Sequence, residues 1–482
     1  MSNMNSPGVY DRLVDRSFIV NAGGLLAGGI VLTSDKGPTE VTTVTSASQF
    51  EKLYGLPSRD NPSMYAAFRF LRRSGILSVR RVVNDATTAS GDTATTALTF
   101  SAANPGAWGN DISISFEEAE NEGTGMFFVI VSYDDNEVER FLVSRDTGAR
   151  DGFGSNVYIE DRINQNSLYI RVTDDPYITV AMDYSETVDL SGGADDTSVA
   201  GSADIVNAWD DFVSAEEVPA QLLINGGWAV PTIQTKMVAV AALRGDAVAI
   251  LDVPEDDSNS VSAMTSYVST LGLNTHLAGI FGGWIKIYDQ YQDREVMIPP
   301  SGDVAAVFNY TVTVGDRWDA PAGVQRGIIP NSLGVSKVFS QGDRDVLYVN
   351  RVNPVTSYAG AAAIVWGQKT LQLASSALNR FNVVNLILWA NSRMKEALQP
   401  FVFQPNNEAT RDSVNYLLSS FWESIKQRGG VYDFYVDTST ELNTPQVIDN
   451  NQLFVDVYIK PTRTAEFIRL STIVTPTGVS LR

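Results

Sequence analysis

The sequence predicts an α+β multidomain chain: a discontinuous α/β inner domain formed by both chain ends, an inserted β-rich domain, an inserted α/β domain, and extended terminal arms. Three observations predict it. The 482 residues exceed what one hydrophobic core organises. The hydrophobic period switches along the chain from mixed, to strand-like, to alternating helix and strand, and back. Charge follows the same division. Residues 1–90 hold 10 Lys/Arg against 7 Asp/Glu and residues 341–482 hold 13 against 12, whereas residues 91–340 hold 12 against 37. Near-neutral ends therefore flank an acidic middle, as expected if the ends form an inner domain that packs on neighbours while the middle points outward.

Residues 1–21 read as an arm with little to bury against within the chain. Gly23 to Thr33 reads as a buried strand, Ser46 to Gly55 as a capped helix stopped by glycine, Ser63 to Ser74 as a second helix and Ile76 to Val83 as a strand. Residues 22–90 are thus the first half of the inner domain. The low-complexity run Thr87 to Ala97 marks a linker. Within 91–195, the runs Ile112 to Phe116, Met126 to Tyr133, Val138 to Val143, Leu168 to Val172 and Ile178 to Met182 lie between Gly, Asn and Asp clusters, an all-β insert closed by Leu190 to Asp196. Over 196–335 the pattern alternates: strand Leu222 to Ile224, helix Thr232 to Leu243, strand Ala247 to Val253, helix Ser260 to Leu271, strand Ala278 to Ile287. Such alternation predicts a parallel sheet covered by helices. The inner domain resumes over 336–471, and 472–482 form a C-terminal arm.

The C-terminal third is the densest in signal. Phe401 to Gln404 reads as an apolar lead-in strand and Pro405-Asn406 as a break. The helix Asn407 to Arg428 then puts Val414, Leu417, Leu418, Phe421 and Ile425 on one face before a Gly429-Gly430 stop. Val431 to Val436 and Leu453 to Ile459 read as strands that pair beneath this helix.

These segments, FVFQPNNEATRDSVNYLLSSFWESIKQRGGVYDFYVD and the region ending in KPTRTAEFI, resemble the tail sheath proteins of contractile phage tails. The resemblance extends, in family order, to SPGVY (Ser6 to Tyr10), SDKGP (Ser34 to Pro38), PPSGDVAAVFNYTVTVGDRWDAPAG (Pro299 to Gly323) and VNPVTSYAGAAAIVWGQKTL (Val352 to Leu371). Gln404 stands where the family often has an acid, and the loop after Val436 reads DTSTEL.

Several kinds of chemistry lack their residues. With no cysteine there is no disulfide, thiolate metal site or Cys nucleophile. His276 is the lone histidine, without a G-x-S-x-G elbow, so neither a Ser-His-Asp triad nor a histidine-pair metal site is expected. Neither phosphate-loop pattern occurs: Gly23-Gly24 with Gly28-Gly29 has the wrong spacing, and Gly282-Gly283 lies in a strand-like run. The carboxylate clusters Glu117-Glu118, Asp134-Asp135, Asp195-Asp196 and Glu255 to Asp257 fit no calcium-loop pattern and read as solvated loops, although Asp/Glu pairs leave glycosidase-type chemistry formally open. The eight tryptophans are scattered and read as packing residues. The most apolar stretch, Met237 to Val253, is interrupted by Arg244, Asp246 and Asp252, so no membrane span is predicted; the N-terminus lacks a signal-peptide pattern, pointing to assembly in a cytoplasm. A net charge of −21 disfavours nucleic-acid binding.

What remains is assembly. The N-terminal residues Pro7, Gly8, Val9, Tyr10, Leu13 and Val14, and the C-terminal Ile473, Val474, Val479 and Leu481, are expected to add as strands to the sheets of other copies. Donation from one end to one neighbour and from the other end to another is heterologous, so it propagates as rings or filaments. The resemblance implies a homo-oligomeric helical stack of six-fold rings around a tail tube, with baseplate and tail terminator proteins as further partners, no cofactor, no metal and no catalysis. It also implies a place in the virion. Arg411, Lys426 and Arg428 on the Asn407 to Arg428 helix are the expected tube-facing residues. The alternatives are the sheath of a phage-derived injection or secretion particle and, from another class, a cytoplasmic α/β enzyme.

Overall fold

The computed structural model describes residues 24–467 apart from 59–60, 74, 120–124, 179–181, 197–200 and 358–361. The expected arm residues Pro7, Gly8, Val9, Tyr10, Leu13, Val14, Ile473, Val474, Val479 and Leu481 lie outside the described residues, as does most of the run Ile178 to Met182.

The chain begins with β1 (Gly28–Leu32), β2 (Thr42–Val44), α1 (Ala47–Tyr54), α2 (Pro62–Arg73) and β3 (Leu77–Arg81). Ser46 caps α1 by accepting from Gln49 N–H, and Gly55 ends it, as the sequence predicts. The insert follows with β4 (Ser90–Asp92), β5 (Leu98–Ala102), β6 (Ile112–Glu118), β7 (Met126–Tyr133), β8 (Asn136–Ser144), α3 (Ile159–Asn166), β9 (Ile170–Asp174) and β10 (Thr187–Asp189). Its strands form two sheets, β4-β5-β9 and β10-β6-β7-β8, whose inward residues, among them Phe100, Ile114, Val129 and Val172, share one core. The insert is not all-β: α3 buries Ile159 and Ile163 in that core. Two apolar positions four residues apart in an otherwise polar octet are too short a signal to read as a helix.

The middle region contributes α4 (Ser202–Ala208), β11 (Leu222–Ile224), α5 (Pro231–Arg244), β12 (Val248–Asp252), α6 (Val261–Leu271), β13 (Ala278–Gly282), β14 (Ile285–Asp289), β15 (Arg294–Ile298), α7 (Ser301–Val314), α8 (Gly323–Arg326), β16 (Gly334–Val335), α9 (Gln341–Val349), β17 (Val352–Thr356) and β18 (Ile364–Val365). The run Ala278 to Ile287 is two strands in different sheets, divided at Gly283. The last elements are α10 (Phe381–Leu398), α11 (Glu408–Gln427), β19 (Val431–Asp437), α12 (Pro445–Asp449) and β20 (Asp456–Pro461). Phe401 to Gln404 is a turn rather than the expected lead-in strand, with Phe403 fully exposed at φ +69°.

One eight-stranded sheet, ordered β18-β17-β13-β12-β11-β1-β3-β2, corrects the expected domain plan. Strands from 22–90 and from 196–335 are neighbours in it, because β1 pairs in parallel with both β3 and β11. The first segment therefore does not join the C-terminal unit as a separate inner domain; it completes the sheet of the middle region, and β17 and β18 from 336–371 extend the same sheet. The physical reason is burial on both faces. Ile30, Leu222 and Ile250 face one core beneath α2 and α7, while Val31, Leu223 and Leu251 face the other beneath α4, α5 and α6. Leaving β1 unpaired would expose a fully apolar parallel strand.

Local contacts explain two of the quoted motifs. In PPSGD, Gly302 sits where α7 meets α2: a Cβ there would lie 2.3 Å from Ala66 O and 2.5 Å from its Cα. Beside it the buried Asp303 receives Arg69 Nε at 3.0 Å. In SDKGP, the carbonyls of Ser34 and Gly37 accept from the buried Arg81 guanidinium, at 2.9 Å each, which also reaches Pro105 O at 2.9 Å in the insert. Asp196 Oδ1 accepts the backbone N–H groups of Asn84, Asp85 and Ala86 at 2.8–2.9 Å, and Asp195 accepts from Ala107. This solvent-facing carboxylate pair thus also staples the two chain crossings into the insert.

Candidate assembly site at the C-terminal unit

The crevice beyond the C-terminal ends of parallel strands is where an α/β sheet commonly holds a ligand. Here side chains occupy it. Trp228 Nε1 donates to Val31 O at 3.1 Å, bridging the ends of β1 and β11. The buried Asp252 carboxylate accepts from Gly227 N, Ser301 N and Ser301 Oγ at 2.8, 2.8 and 2.6 Å, and burial raises its pKa to about 6 despite those three donors. Among the described residues no group of His, Cys, Asp and Glu could hold a metal ion. None of the described helices is long and apolar enough to cross a membrane.

The unsatisfied surface lies in the C-terminal unit. Its α10–α11 pair and β19–β20 sheet bury Leu386, Val414, Leu418, Trp422, Ile425, Val431 and Val436 together with Trp318, which arrives from the loop after α7. The predicted helix face is found, with Trp422 taking a core place the sequence reading left out and Leu417 exposed. Gly430 is required by Trp318: a Cβ would lie 2.8 Å from the indole and 2.6 Å from Ile425.

β19 and β20 pair antiparallel from Val431 opposite Pro461 to Asp437 opposite Asp456, and among the described residues neither pairs with a third strand. Each outer edge thus carries a row of backbone donors and acceptors open to another chain. A cleft of about 350 Å³ runs between α11 and β19, lined by Asn415, Ser419, Phe434 and Thr438, and Ser419 and Phe434 continue it into a second of about 530 Å³ with Tyr416 and Gln427. On the sheet face away from α11, Tyr435 and Tyr458 are 59% and 57% exposed and stacked at 6.1 Å between ring centres. Asp437 and Asp456 stand directly opposite each other, a repulsive cross-strand pair in an isolated subunit. Their fields, Asp456 first, push the Tyr458 phenol above its ordinary pKa.

Just past β20 the chain is fastened to the central sheet. The Glu466 carboxylate accepts Arg380 Nε and Nη2 at 2.6 and 2.8 Å, Tyr348 OH at 2.9 Å and Gln368 Nε2 at 3.2 Å, and Gln368 also donates to Thr464 Oγ1 at 2.8 Å. Burial, then the Glu466 charge, raise the Tyr348 phenol, keeping it a neutral donor. GQKTL and KPTRTAEFI, far apart in sequence, meet here. Glu466, Arg380 and Tyr348 were missed by the sequence reading, although two of the quoted segments contain or adjoin them.

The tube-facing candidates do not form one patch. Arg411 donates to Asn406 Oδ1 at 3.0 Å near the start of α11, about 22 Å along the helix from Lys426 at 1.5 Å per residue. Lys426 pairs with Asp433 at 2.9 Å, and Arg428 pairs with Asp316 while covering the Trp318 ring at 5.1 Å. Arg428 thus faces the central sheet's α7 loop.

The comparisons with known proteins follow the same division. Residues 198–371 match the model for the phage tail sheath protein central domain and residues 374–475 the model for the phage tail sheath C-terminal domain, with the boundary where β18 gives way to the C-terminal unit. The tail sheath protein of Enterobacteria phage T4 is 29% identical over 373 residues, covering 73% of this chain and 56% of that protein, so the chain spans about half the length of the curated relatives it matches. A sheath tail protein from Listeria innocua superposes with a TM-score of 0.64 at 14% identity, covering 91% of this chain and 96% of that one. The sheath complex of an extracellular contractile injection system in its contracted state gives 0.56 at 15% identity, covering 98% of each chain. By sequence and fold together, the chain belongs to the contractile phage tail sheath family, whose members are structural proteins and not enzymes.

Proposed function

We propose that this chain is the repeating subunit of a phage tail sheath that polymerises as stacked six-fold rings around a tail tube and shortens to drive that tube through the host envelope. The observation that carries the reading is the β19–β20 sheet, whose two edges lack strand partners among the described residues. Residues Pro7 to Val14 and Ile473 to Leu481 supply the missing strands between copies, which links each subunit to different neighbours and propagates without closing. Shortening needs no nucleotide. An extended sheath held behind a kinetic barrier releases free energy as new surface is buried between subunits. About 400 Å² of further apolar burial per copy corresponds to about 10 kcal/mol before ordering costs. Baseplate and terminator proteins bound the stack, which is built in the host cytoplasm and carried in the virion.

The fold likeness to a contractile injection system sheath supports a second reading, a phage-derived injection particle. The higher sequence identity to a phage protein, 29% against 15%, favours the first. Negative-stain microscopy of the purified chain tests the assembly reading: tubes or stacked rings are expected, whereas compact closed oligomers would overturn it. Deleting residues 1–15 is expected to leave soluble monomers or short rings, and long sheaths from that variant would refute strand donation.

A further inference from the structure

Strand β9 lies at an edge of the insert: it pairs with β5 on one side and, among the described residues, with no strand on the other. In an antiparallel ladder alternate residues turn their backbone groups outward. On β9 these are Ile170, Val172 and Asp174, because the positions between and beside them bond to β5: Ala103 N–H donates to Tyr169 O, and Asp175 N–H donates to Ala97 O. All three outward N–H groups are taken by side chains. Ser167 Oγ accepts from Ile170 at 2.9 Å, Asn164 Oδ1 from Val172 at 2.8 Å and Glu160 Oε1 from Asp174 at 2.8 Å. Two outward carbonyls are covered as well: Val172 O accepts from Asn164 Nδ2 at 2.9 Å, and Ile170 O accepts from Arg171 Nη1 at 2.7 Å.

The three acceptors share one local cause in the sequence. Glu160, Asn164 and Ser167 are spaced i, i+4 and i+7, so they form one stripe along α3 and its C-cap, running antiparallel to β9. Ile159 and Ile163, on another stripe, are buried in the insert core and hold the helix in place. The helix thus presents side chains where a further strand would present backbone. On the opposite side of the same sheet backbone closes β4, through Ser90 N–H to Ser191 O at 2.9 Å and Ser191 N–H to Ser90 O at 3.0 Å.

We propose that α3 guards the β9 edge against strands of a second copy, with Asn164 as the residue that decides this specificity. The run Tyr169 to Thr173 is rich in β-formers and turns Ile170 and Val172 to the core, so its bare edge would be a template for any extended segment of a neighbour. The β19–β20 sheet lacks such a helix-borne row: among the described residues α11 reaches one of its backbone groups, Val436 O, through Asn415 Nδ2 at 3.0 Å. Sealing β9 therefore leaves strand addition to the C-terminal unit, a consequence that rests on the assembly reading above.

The test uses the full chain, kept below the concentration at which the wild type polymerises. Asn164→Ala removes both bonds to Val172. Its Val172 amide is expected to exchange roughly tenfold faster than in the wild type. In analytical ultracentrifugation the variant is expected to associate as concentration rises, over a range where the wild type sediments as a monomer. Asn164→Asp keeps the acceptor for Val172 N–H and loses the donor to Val172 O, so it is expected to fall between the two. Glu160→Gln keeps an acceptor oxygen for Asp174 and is expected to stay monomeric. Unchanged exchange at Val172 overturns the seal; faster exchange without association leaves Asn164 a packing contact and overturns the guard. Far-UV dichroism matching the wild type separates association through the edge from unfolding, and if Asn164→Ala loses that match, Asn164→Asp carries both measurements with the same deciding outcomes. A wild-type chain that never forms tubes removes the assembly reading, while the sedimentation of the Asn164 variants still decides the guard.

Discussion

Arg380 at the start of α10 and Glu466 beyond β20, 86 residues apart, form a two-pronged ion pair of 2.6 and 2.8 Å that ties the exit of the chain to the helix on which the C-terminal unit begins. Both side chains are about four-fifths buried, so the pair is shielded from the screening that weakens surface bridges. Force applied to residues beyond Phe467 reaches α10 and the central sheet through this carboxylate before it reaches the hydrogen bonds of β20.

Removing that tie gives the first prediction. Glu466→Gln retains the shape but loses the charge-assisted bonds, and is expected to cost about 1–3 kcal/mol locally. Hydrogen exchange of residues 462–467 reads it directly. Faster exchange there, with the central strands unchanged, is expected; uniform exchange across both regions would show that Glu466 is not an independent fastening.

The second prediction concerns the end of α11. Arg428 is largely exposed, so Arg428→Glu together with Lys426→Glu is expected to change the thermal midpoint of the unassembled chain only slightly, since exposed pairs are worth roughly 0–1 kcal/mol. If this end of the helix grips the tube, sedimentation of sheath with tubes should fall sharply. Undiminished co-sedimentation would exclude Lys426 and Arg428 from that contact.

Gly430 supplies the third. Gly430→Ala drives a methyl into the Trp318 indole and Ile425, where neither side can withdraw without reopening the core shared by the central sheet and the C-terminal unit. A loss of about 1–3 kcal/mol is expected in chemical denaturation. A variant as stable as wild type would mean that Trp318 does not pack where β19 begins.

The fourth is a pH dependence. Asp252 has a folded pKa of about 6, raised by burial, against an ordinary carboxylate value of 3.8. The folded state therefore binds the extra proton between those values, and the stability this group contributes is fully present below about pH 4 and is lost as pH rises through about 6. Two units correspond to at most about 3 kcal/mol at ~1.4 kcal/mol per unit. Asp252→Asn is expected to flatten the wild-type slope between pH 4 and 6.5. Parallel profiles for the two proteins would assign that slope to other carboxylates, Asp303 among them, which burial also raises.

The alternation Leu222–Ile224, Val248–Asp252, Ala278–Gly282 with helices between was legible because each strand is a short, continuously apolar run bounded by turn residues, and α11 was legible from its spacing and its terminal glycines. The short helix α3 and the pairing of β1 with β11 were not, since two apolar residues carry little periodic signal and strand order leaves no local trace. Of the candidate assembly site, the strands β19 and β20 were legible as strands.

The sequence by itself thus determined the alternation of the middle region, the helix α11 and its following strands, the acidic middle, the lack of cysteine chemistry and the family, because these depend on local pattern and composition. Only the tertiary structure decided that the first strands complete the central sheet and that Glu466 meets Arg380 and Tyr348. Those facts depend on which distant groups share a low-dielectric volume, and that is settled by packing across the whole chain rather than by any segment of it.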